Sequence, residues 1–513
     1  MAPMPAQSDT APKGETGFRN ALVLIAAFLA LRLLVSWVFP AVIDEAYAIA
    51  VSRDWSLSYF DHPPVAFTLA RLMAWLTGTE SIFIARLPFV IAGAVSGWLV
   101  WDITRLAYGR SAAFWALAWY SVAPFFFISA GHFVVPDGPL NLALLATFRL
   151  VLPDLLAPRA KLRTGRWLAA GLCFALALAS KYQATLFGFS ALAFLIASPA
   201  HRRLLASPVL WASLAIAMLG LVPTLVWNAS HDWISITFQT GRASVGSGTL
   251  HPVSFLMIAG SQMAYLLPGT WLVILIASLS GIVWPERTAD RLVAWFAIVP
   301  PIVFFVIALV SRGSLAHWAM SGFLFGFPLA GRWTANNIDR LRGGILLMFR
   351  AACALVPALA LIAALQGRYS VAGRIIPDLP ADWEFGWELQ DWTALAEAWP
   401  ELGAPPAVIV RNWASGAKAG YALGPAVDVI ALSDPRHFRY LETGVPTTAI
   451  AVLPSRAGAG DDESKIRSYV KSLKDAGYRP TGTTTVIRQM AGNRTQFELL
   501  AIPVEKREPD DVF

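Results

Sequence analysis

Runs of roughly twenty apolar residues recur from Ala21 to Leu365, separated by short segments in which charged residues and histidines collect. Each run is long enough to cross a bilayer core of about 30 Å as a helix rising about 1.5 Å per residue. The pattern places spans near 20–40, 81–105, 111–131, 138–156, 166–181, 183–199, 206–228, 267–285, 291–312, 316–333 and 345–366, about eleven in all. A further apolar run at 252–266 reads either as another crossing or as a helix along the interface, and the pattern allows up to about thirteen. The fold class expected is therefore a polytopic α-helical membrane protein.

From about residue 367 the periodicity changes. PAVIVRNW, VDVIALS and TTAIAVLP are short β-rich runs, interleaved with the helical ASGAKAGYALG and ESKIRSYVKSLKDAG. TGTTTVIRQM and TQFELLAIPV flank AGNR as a hairpin. The expected organisation is an N-terminal cytoplasmic tail (1–19), a membrane domain (20–366) and a C-terminal extracytoplasmic α/β domain (367–513).

Charge orients the spans. With the N-terminus cytoplasmic, the inside segments hold Lys13 and Arg19; Arg105 and Arg110; Arg159, Lys161, Arg163 and Arg166; Arg202 and Arg203; Arg287 and Arg291; Arg332, Arg340 and Arg342. Outside segments carry only scattered cations such as Arg53, Lys181, Arg242 and Arg312, so the positive-inside rule selects this orientation and puts residues 367–513 outside. A crossing at 252–266 would invert every later loop. The first apolar run lacks a small-residue cleavage site and reads as a retained span.

Composition agrees: 56% of the 513 residues are hydrophobic and 14% charged, too apolar for an ordinary soluble enzyme. The net charge of +7 is scattered between apolar runs rather than gathered on one face, which excludes nucleic acid as a partner and leaves membrane lipid. Cys173 and Cys353 both fall inside spans, so neither a disulfide framework nor a thiolate metal site is expected.

On this topology Asp44, Glu45, Asp61, His62, His132, Asp137, Lys181, His231, Asp232, Arg242, His251 and His317 gather at the outer ends of spans. Each needs water or a partner beside hydrocarbon, so their convergence predicts a functional cavity there. Bland readings exist for single members. Asp44 is a plausible N-cap of the run that follows it. Pro63 and Pro64 of DHPP suit the start of a helix but do not account for His62. VVPDGPL reads as a proline-flanked turn holding Asp137 at the outer mouth between two spans. Lys181, in ALASKYQATLF, stands between two apolar runs with almost no loop to solvate it and should face an anion. Arg32, deep in the first span, suits either a polar cavity or a buried structural pair.

DEAYAIAVSRDWSLSYFDHPP, VVPDGPLNLALL, LALASKYQATLFG, VWNASHDWISITFQ and AHWAMSGFLFGFPLAG occur in that order and on compatible membrane sides. Together they resemble the bacterial branch of the GT-C glycosyltransferases, similar to protein O-mannosyltransferases and to the aminoarabinose transferases that modify lipid A. The resemblance covers the membrane domain. It implies transfer of a sugar from a polyprenyl-phosphate carrier to an extracytoplasmic acceptor, with Asp44, Glu45 and Asp137 as catalytic acids. It also implies Asp44 and Asp137 as ligands of a divalent cation, and His62, Lys181 and Tyr182 near the carrier phosphate, with Arg242 as a looser match. AHWAM departs from the more usual NWP pattern, which leaves the roles of His317 and Trp318 open.

The chemistry of such a transfer fits these residue types. Phosphate leaves as an anion and needs positive charge, from Lys181, Arg242, protonated His62 or a bound cation, rather than a general acid. A hydroxyl acceptor must lose its proton, for which Asp44 is the expected base, and direct displacement inverts the anomeric centre. Two carboxylates and a histidine could ligate a divalent cation but have no diagnostic spacing, and no nucleotide cofactor is expected. The acceptor expected is lipid A, the lipopolysaccharide core or another envelope glycan, at the periplasmic face of a bacterial inner membrane; a protein hydroxyl is the alternative. A transporter, for which no internal repeat is present, and a noncatalytic scaffold, which leaves the outer acids unexplained, are the competing classes. For the C-terminal domain, acceptor binding or covering the membrane cavity are the roles expected.

Overall fold

The structure, a computed structural model, describes residues 13–158, 161–242, 250–311, 314–376, 389–438, 446–456, 463–491 and 494–507. Helix α1 (Lys13–Val38) leads into two short helices, α2 (Ile43–Val51) and α3 (Val65–Thr77). Then follow α4 (Ile82–Tyr108), α5 (Arg110–Val122), a π-helical turn (Phe125–Ser129), α6 (Asp137–Leu156), α7 (Thr164–Ser180) and α8 (Thr185–Ala197). Next come α9 (Pro208–Met218), α10 (Val222–Ala229), α11 (Ile234–Arg242), α12 (Pro252–Leu266), α13 (Pro268–Val283), α14 (Thr288–Val310) and α15 (Met320–Tyr369).

Among the described residues, six helical stretches are long and apolar enough to cross a membrane alone: Gly17–Val38, Ile82–Tyr108, Asp137–Leu156, Pro208–Ala229, Thr288–Val310 and Ala316–Tyr369. The last contains both final expected spans, because α15 runs through the intervening polar segment and is broken only at Leu341 (φ −114°, ψ 20°). The expected spans at 166–181 and 183–199 appear as the shorter apolar helices Thr164–Ser180 and Tyr182–Ala197. Residues 252–266 form α12, bent by 106° from α13 at Leu267, whose φ is +68°. The pair is thus a broken span or a re-entrant hairpin rather than one straight crossing.

The helices pack through aromatic side chains. Phe148 of α6, Phe296 of α14 and Phe325 of α15 lie with ring centroids 5.0–5.7 Å apart. Edge and offset arrangements of this kind add specificity where, in lipid, apolar burial alone does not drive association.

Past α15 a short helix, α16 (Val371–Ile375), precedes the C-terminal domain. That domain comprises α17 (Thr393–Ala398), β1 (Ala407–Val410), α18 (Trp413–Leu423), β2 (Asp428–Ala431), β3 (Thr448–Arg456), α19 (Glu463–Asp475), β4 (Tyr478–Pro480), β5 (Thr485–Ala491) and β6 (Arg494–Lys506). The strand order is β2-β1-β3-β6-β4, with β5 paired to β6. β1 runs parallel to β2 and β3, whereas β5 and β6 form the anticipated antiparallel hairpin. Asn412 caps α18, its side chain accepting from Ser415 N at 3.0 Å.

This domain is not an appendage with a wholly separate core. Tyr47 and Val51 of α2 and Phe67 of α3 share one buried apolar cluster with Val429, Phe438, Val452 and Leu499 of the sheet domain. Polar ties reinforce the seam: Lys418 Nζ donates to Ala41 O at 2.5 Å and Arg53 Nη1 to Gly424 O at 3.0 Å. The sheet domain is thereby fixed over the outer ends of the first helices.

Candidate active site

Two loops that the sequence keeps far apart are joined by one buried ion pair. Arg86 of α4 donates to both carboxylate oxygens of Glu45, at 2.8 and 2.5 Å, and both side chains are fully buried. The Arg86 guanidinium also donates to the carbonyls of Ser36, Phe39 and Pro40 at the end of α1. Glu45 accepts in addition from Val42 N at 3.1 Å and from Val134 N at 3.0 Å. Saturation on every side is the condition under which a charge pair can remain ionised in a dry interior.

This geometry bears on two expectations. Glu45, expected beside Asp44 as a catalytic acid, does not line the cavity, and its oxygens are occupied in tying α1, α2, α4 and the loop before α6 together. Asp44 is not the N-cap of α2 either, since Val42 holds that position and the Glu45 carboxylate takes its N–H. Asp44 stands in the first turn of α2, exposed, on the edge of the cavity. There the positive end of the helix dipole favours the ionised carboxylate.

The cavity so framed has a volume of about 480 Å³ and lies where the C-terminal domain meets the ends of the spans. Of the twelve polar residues expected to converge, it brings together Asp44, Asp61, His62, Asp137, Lys181 and His317, joined by Tyr182 and Trp318, whereas Glu45, His132, His231, Asp232 and His251 do not line it. Arg242 ends α11, but its side chain lies outside the described residues.

The cavity has two chemically distinct ends. At one, Asp137 opens α6 immediately after Pro136, and Lys181 occupies an extended residue (φ −158°, ψ 138°) between α7 and the turn leading to α8. Lys181 Nζ lies 2.8 Å from Asp137 Oδ2, with side-chain exposures of 3% and 10%. His317 and His62 are within electrostatic reach of the same carboxylate. The anion demanded by the nearly unsolvated lysine is thus, in this state, Asp137. Tyr182 shares a 2.7 Å hydrogen bond with Ser235 beside it.

At the other end Tyr47, one turn after Asp44 on the same face of α2, donates to Asp61 Oδ1 at 3.3 Å. Burial, then the charges of Asp61, Asp434 and Asp44, push its phenol well above the usual range, so it is a hydrogen-bond donor at any working pH. Three acids therefore surround one buried hydroxyl.

The C-terminal domain supplies Trp413, Asp434 and His437 to the wall, residues that sequence reasoning missed. The His437 ring stacks on Trp413 at 5.3 Å and 22°, and its Nδ1 lies 3.4 Å from Tyr47 Oη. Asp434 is held by Arg436, whose guanidinium also lies over the Phe60 ring at 5.0 Å. Tyr47 could have been found from its helical spacing to Asp44. Nothing local marks Asp434 or His437, which reach the site only through packing of the sheet against α2.

The donor set was tested against the divalent cation that the resemblance implies. Among the described residues, no group of three or more His, Cys, Asp or Glu side chains is placed to hold an ion. Asp137 already has an ammonium partner, so Asp44 and Asp137 do not make a fitting cation site in this arrangement. Arg32 does not line this cavity: it is buried, donates to Phe126 O at 3.2 Å and lies over the Phe127 ring at 5.5 Å.

Residues 61–227 match the family model described as dolichyl-phosphate-mannose-protein mannosyltransferase. A curated protein, the lipid A galacturonosyltransferase RgtD of Rhizobium johnstonii, is 22% identical over 318 residues, a match spanning 61% of this chain and 65% of that protein. Among solved structures, ArnT from Cupriavidus metallidurans in the apo state superposes with a TM-score of 0.59 at 17% identity, covering 96% of this chain and 98% of that one. The same protein bound to undecaprenyl phosphate gives 0.54, also at 17% identity, covering 94% and 97%. The chain thus shares the fold of these transferases, and within its membrane domain it is similar to the mannosyltransferase family model and to the lipid A galacturonosyltransferase.

Proposed function

We propose that the protein is an inverting glycosyltransferase that moves a sugar from a polyprenyl-phosphate donor to a hydroxyl of lipid A or the lipopolysaccharide core, at the periplasmic face of a bacterial inner membrane. The observation that carries this reading is the polarity of the cavity. Its Lys181 end, with His62 and His317, suits a phosphate, whereas its Asp44 end, with Asp61 and Asp434, suits a hydroxyl that must lose a proton. The lipid A activity of one relative and the undecaprenyl phosphate bound to another support the donor and acceptor classes.

In the step envisaged, the acceptor oxygen attacks the anomeric carbon as the bond from that carbon to the phosphate oxygen breaks. The departing phosphate takes the electron pair and is stabilised by Lys181, which trades its contact with Asp137 for the phosphate, and by His62. The acceptor proton passes to Asp44. A carrier of this kind keeps its hydrocarbon chain in lipid while its phosphate reaches the outer edge. The orientation of the spans by their inside cations supports the periplasmic side.

Mass spectrometry of envelope glycolipids from cells lacking the protein, complemented with wild type or Asp44→Asn at matched expression, tests the reading. Loss of one sugar mass from lipid A or core, restored only by wild type, is the expected result. Full restoration by Asp44→Asn removes Asp44 as the base, and an unchanged glycolipid profile with altered glycoproteins moves the acceptor to a protein hydroxyl.

A further inference from the structure

A second cleft of about 360 Å³ opens beside the main cavity, on the other side of Tyr47 and His437, which line both. Its remaining wall comes from the loop between α2 and α3 and from the end of α10. Trp55, Tyr59, Phe60, Trp227 and His231 line it together with Asp54, Ser56 and Ser58. His231 is stacked on Trp227 at 4.0 Å and 10°, and its Nδ1 lies 2.7 Å from Trp227 O, so this pair forms one rigid flat surface. Tyr59 Oη donates to Asp54 O at 3.1 Å and holds the opposite loop in shape.

We infer that this cleft is a subsite for a sugar ring of the acceptor, one ring removed from the reacting hydroxyl; the inference rests on the glycolipid acceptor proposed above. Three observations favour that occupant. Among the described residues, those lining the cleft include no Lys or Arg, unlike the Lys181 end of the main cavity, so the cleft is less suited to the donor phosphate. Flat aromatic faces interleaved with hydroxyl and carboxylate acceptors match a pyranose, which presents C–H groups on its faces and hydroxyls around its rim. The cleft also adjoins the reacting chamber, the two sharing Tyr47 and His437 in their walls, so a ring seated in it lies next to the space that Asp44 edges. Trp55 and Leu57 at its mouth are 54% and 53% exposed at the membrane edge, where the acyl chains of a glycolipid can stay in the bilayer. His437 joins the two spaces, which gives the C-terminal domain a defined task on the acceptor side.

The test uses the full-length protein in detergent micelles and two probes: the deacylated headgroup saccharide prepared from lipid A of the deletion strain, and a polyprenyl-phosphate-sugar extract of the same membranes. Trp55→Ala, an exposed position whose loss does not endanger folding, is expected to weaken equilibrium binding of the headgroup saccharide about five- to tenfold. It should raise the KM for lipid A by a similar factor, with the KM for the donor extract and kcat unchanged. Trp55→Phe should recover most of the loss. Trp75→Ala, an equally accessible tryptophan on α3 outside the cleft (67% exposed), should change neither quantity. Equal saccharide binding by wild type and Trp55→Ala, absence of binding by wild type, or a matching rise in donor KM each overturns the subsite. Saccharide binding that depends on Trp55 in a protein that transfers no sugar to lipid A supports the subsite and overturns the transfer reading instead.

Discussion

Two carboxylate–cation pairs stand at the outer edge of the membrane domain, and they do opposite things. Glu45 and Arg86 are fully buried, and the backbone of three segments occupies most of their remaining hydrogen-bonding capacity. Asp137 and Lys181 are nearly as buried, yet both face a cavity large enough for a ligand. The first pair has nothing left to offer a substrate and serves as a strut between the loops that carry Asp44 and Asp137. The second lines the cavity, where under the proposed mechanism a phosphate would replace the carboxylate on Lys181. Burial of charge therefore does not identify a reacting residue. What separates the pairs is whether a polar cavity adjoins them.

The comparison can be broken at several points. The largest effect is expected at the base: Asp44→Asn should lower the transfer rate about 10²- to 10⁴-fold while leaving the amount of folded protein unchanged, read from initial rates on purified enzyme. On the cation side, Lys181→Met should reduce transfer about 10²- to 10³-fold, and Lys181→Arg should restore part of it. Wild-type rates in Lys181→Met would remove the phosphate role.

The strut should behave differently. Glu45→Ala leaves Arg86 charged and unpaired in a dry site, a loss of about 3–5 kcal/mol that should appear as a lower melting temperature and yield in detergent. The rate per folded molecule should fall far less than in Asp44→Asn. A Glu45→Ala protein of normal stability and no activity would reverse the assignment.

The smallest effect concerns the C-terminal domain. Hydrogen bonds from Arg436 hold the Asp434 carboxyl below its ordinary value of 3.8, with burial opposing them. Below that value the unfolded chain binds a proton that the folded form resists, so the contribution is fully present above about pH 3.8 and is lost as pH falls through the folded value. Melting temperatures between pH 5 and pH 3 should therefore fall slightly more steeply for wild type than for Asp434→Asn.

Legibility followed the range of the interaction. The spans, the α/β pattern of the C-terminal domain and the β5–β6 hairpin rest on local periodicity, and each was readable. Asp137 and Lys181 were readable as chemistry because a charge beside hydrocarbon demands a partner wherever it is found. That they are each other's partner was not readable, since α6 and α7 must first be packed side by side. The burial of Glu45 against Arg86 was unreadable for the same reason. As a letter beside Asp44, Glu45 looks equivalent, but consecutive residues of a helix point about 100° apart, and only Asp44 faces the cavity.

By itself, then, the sequence determined the membrane class, the approximate positions of the helices, and much of the set of polar residues held together at one end of the spans. All of these depend on hydrophobicity and charge counted along the chain. The tertiary structure alone decided that one acid is a strut and its neighbour a cavity residue, that α12 turns sharply away from α13, and that Trp413, Asp434 and His437 complete the site from the far end of the chain. The physical reason is that a side chain's role depends on which atoms surround it, and those atoms come from segments up to hundreds of residues away.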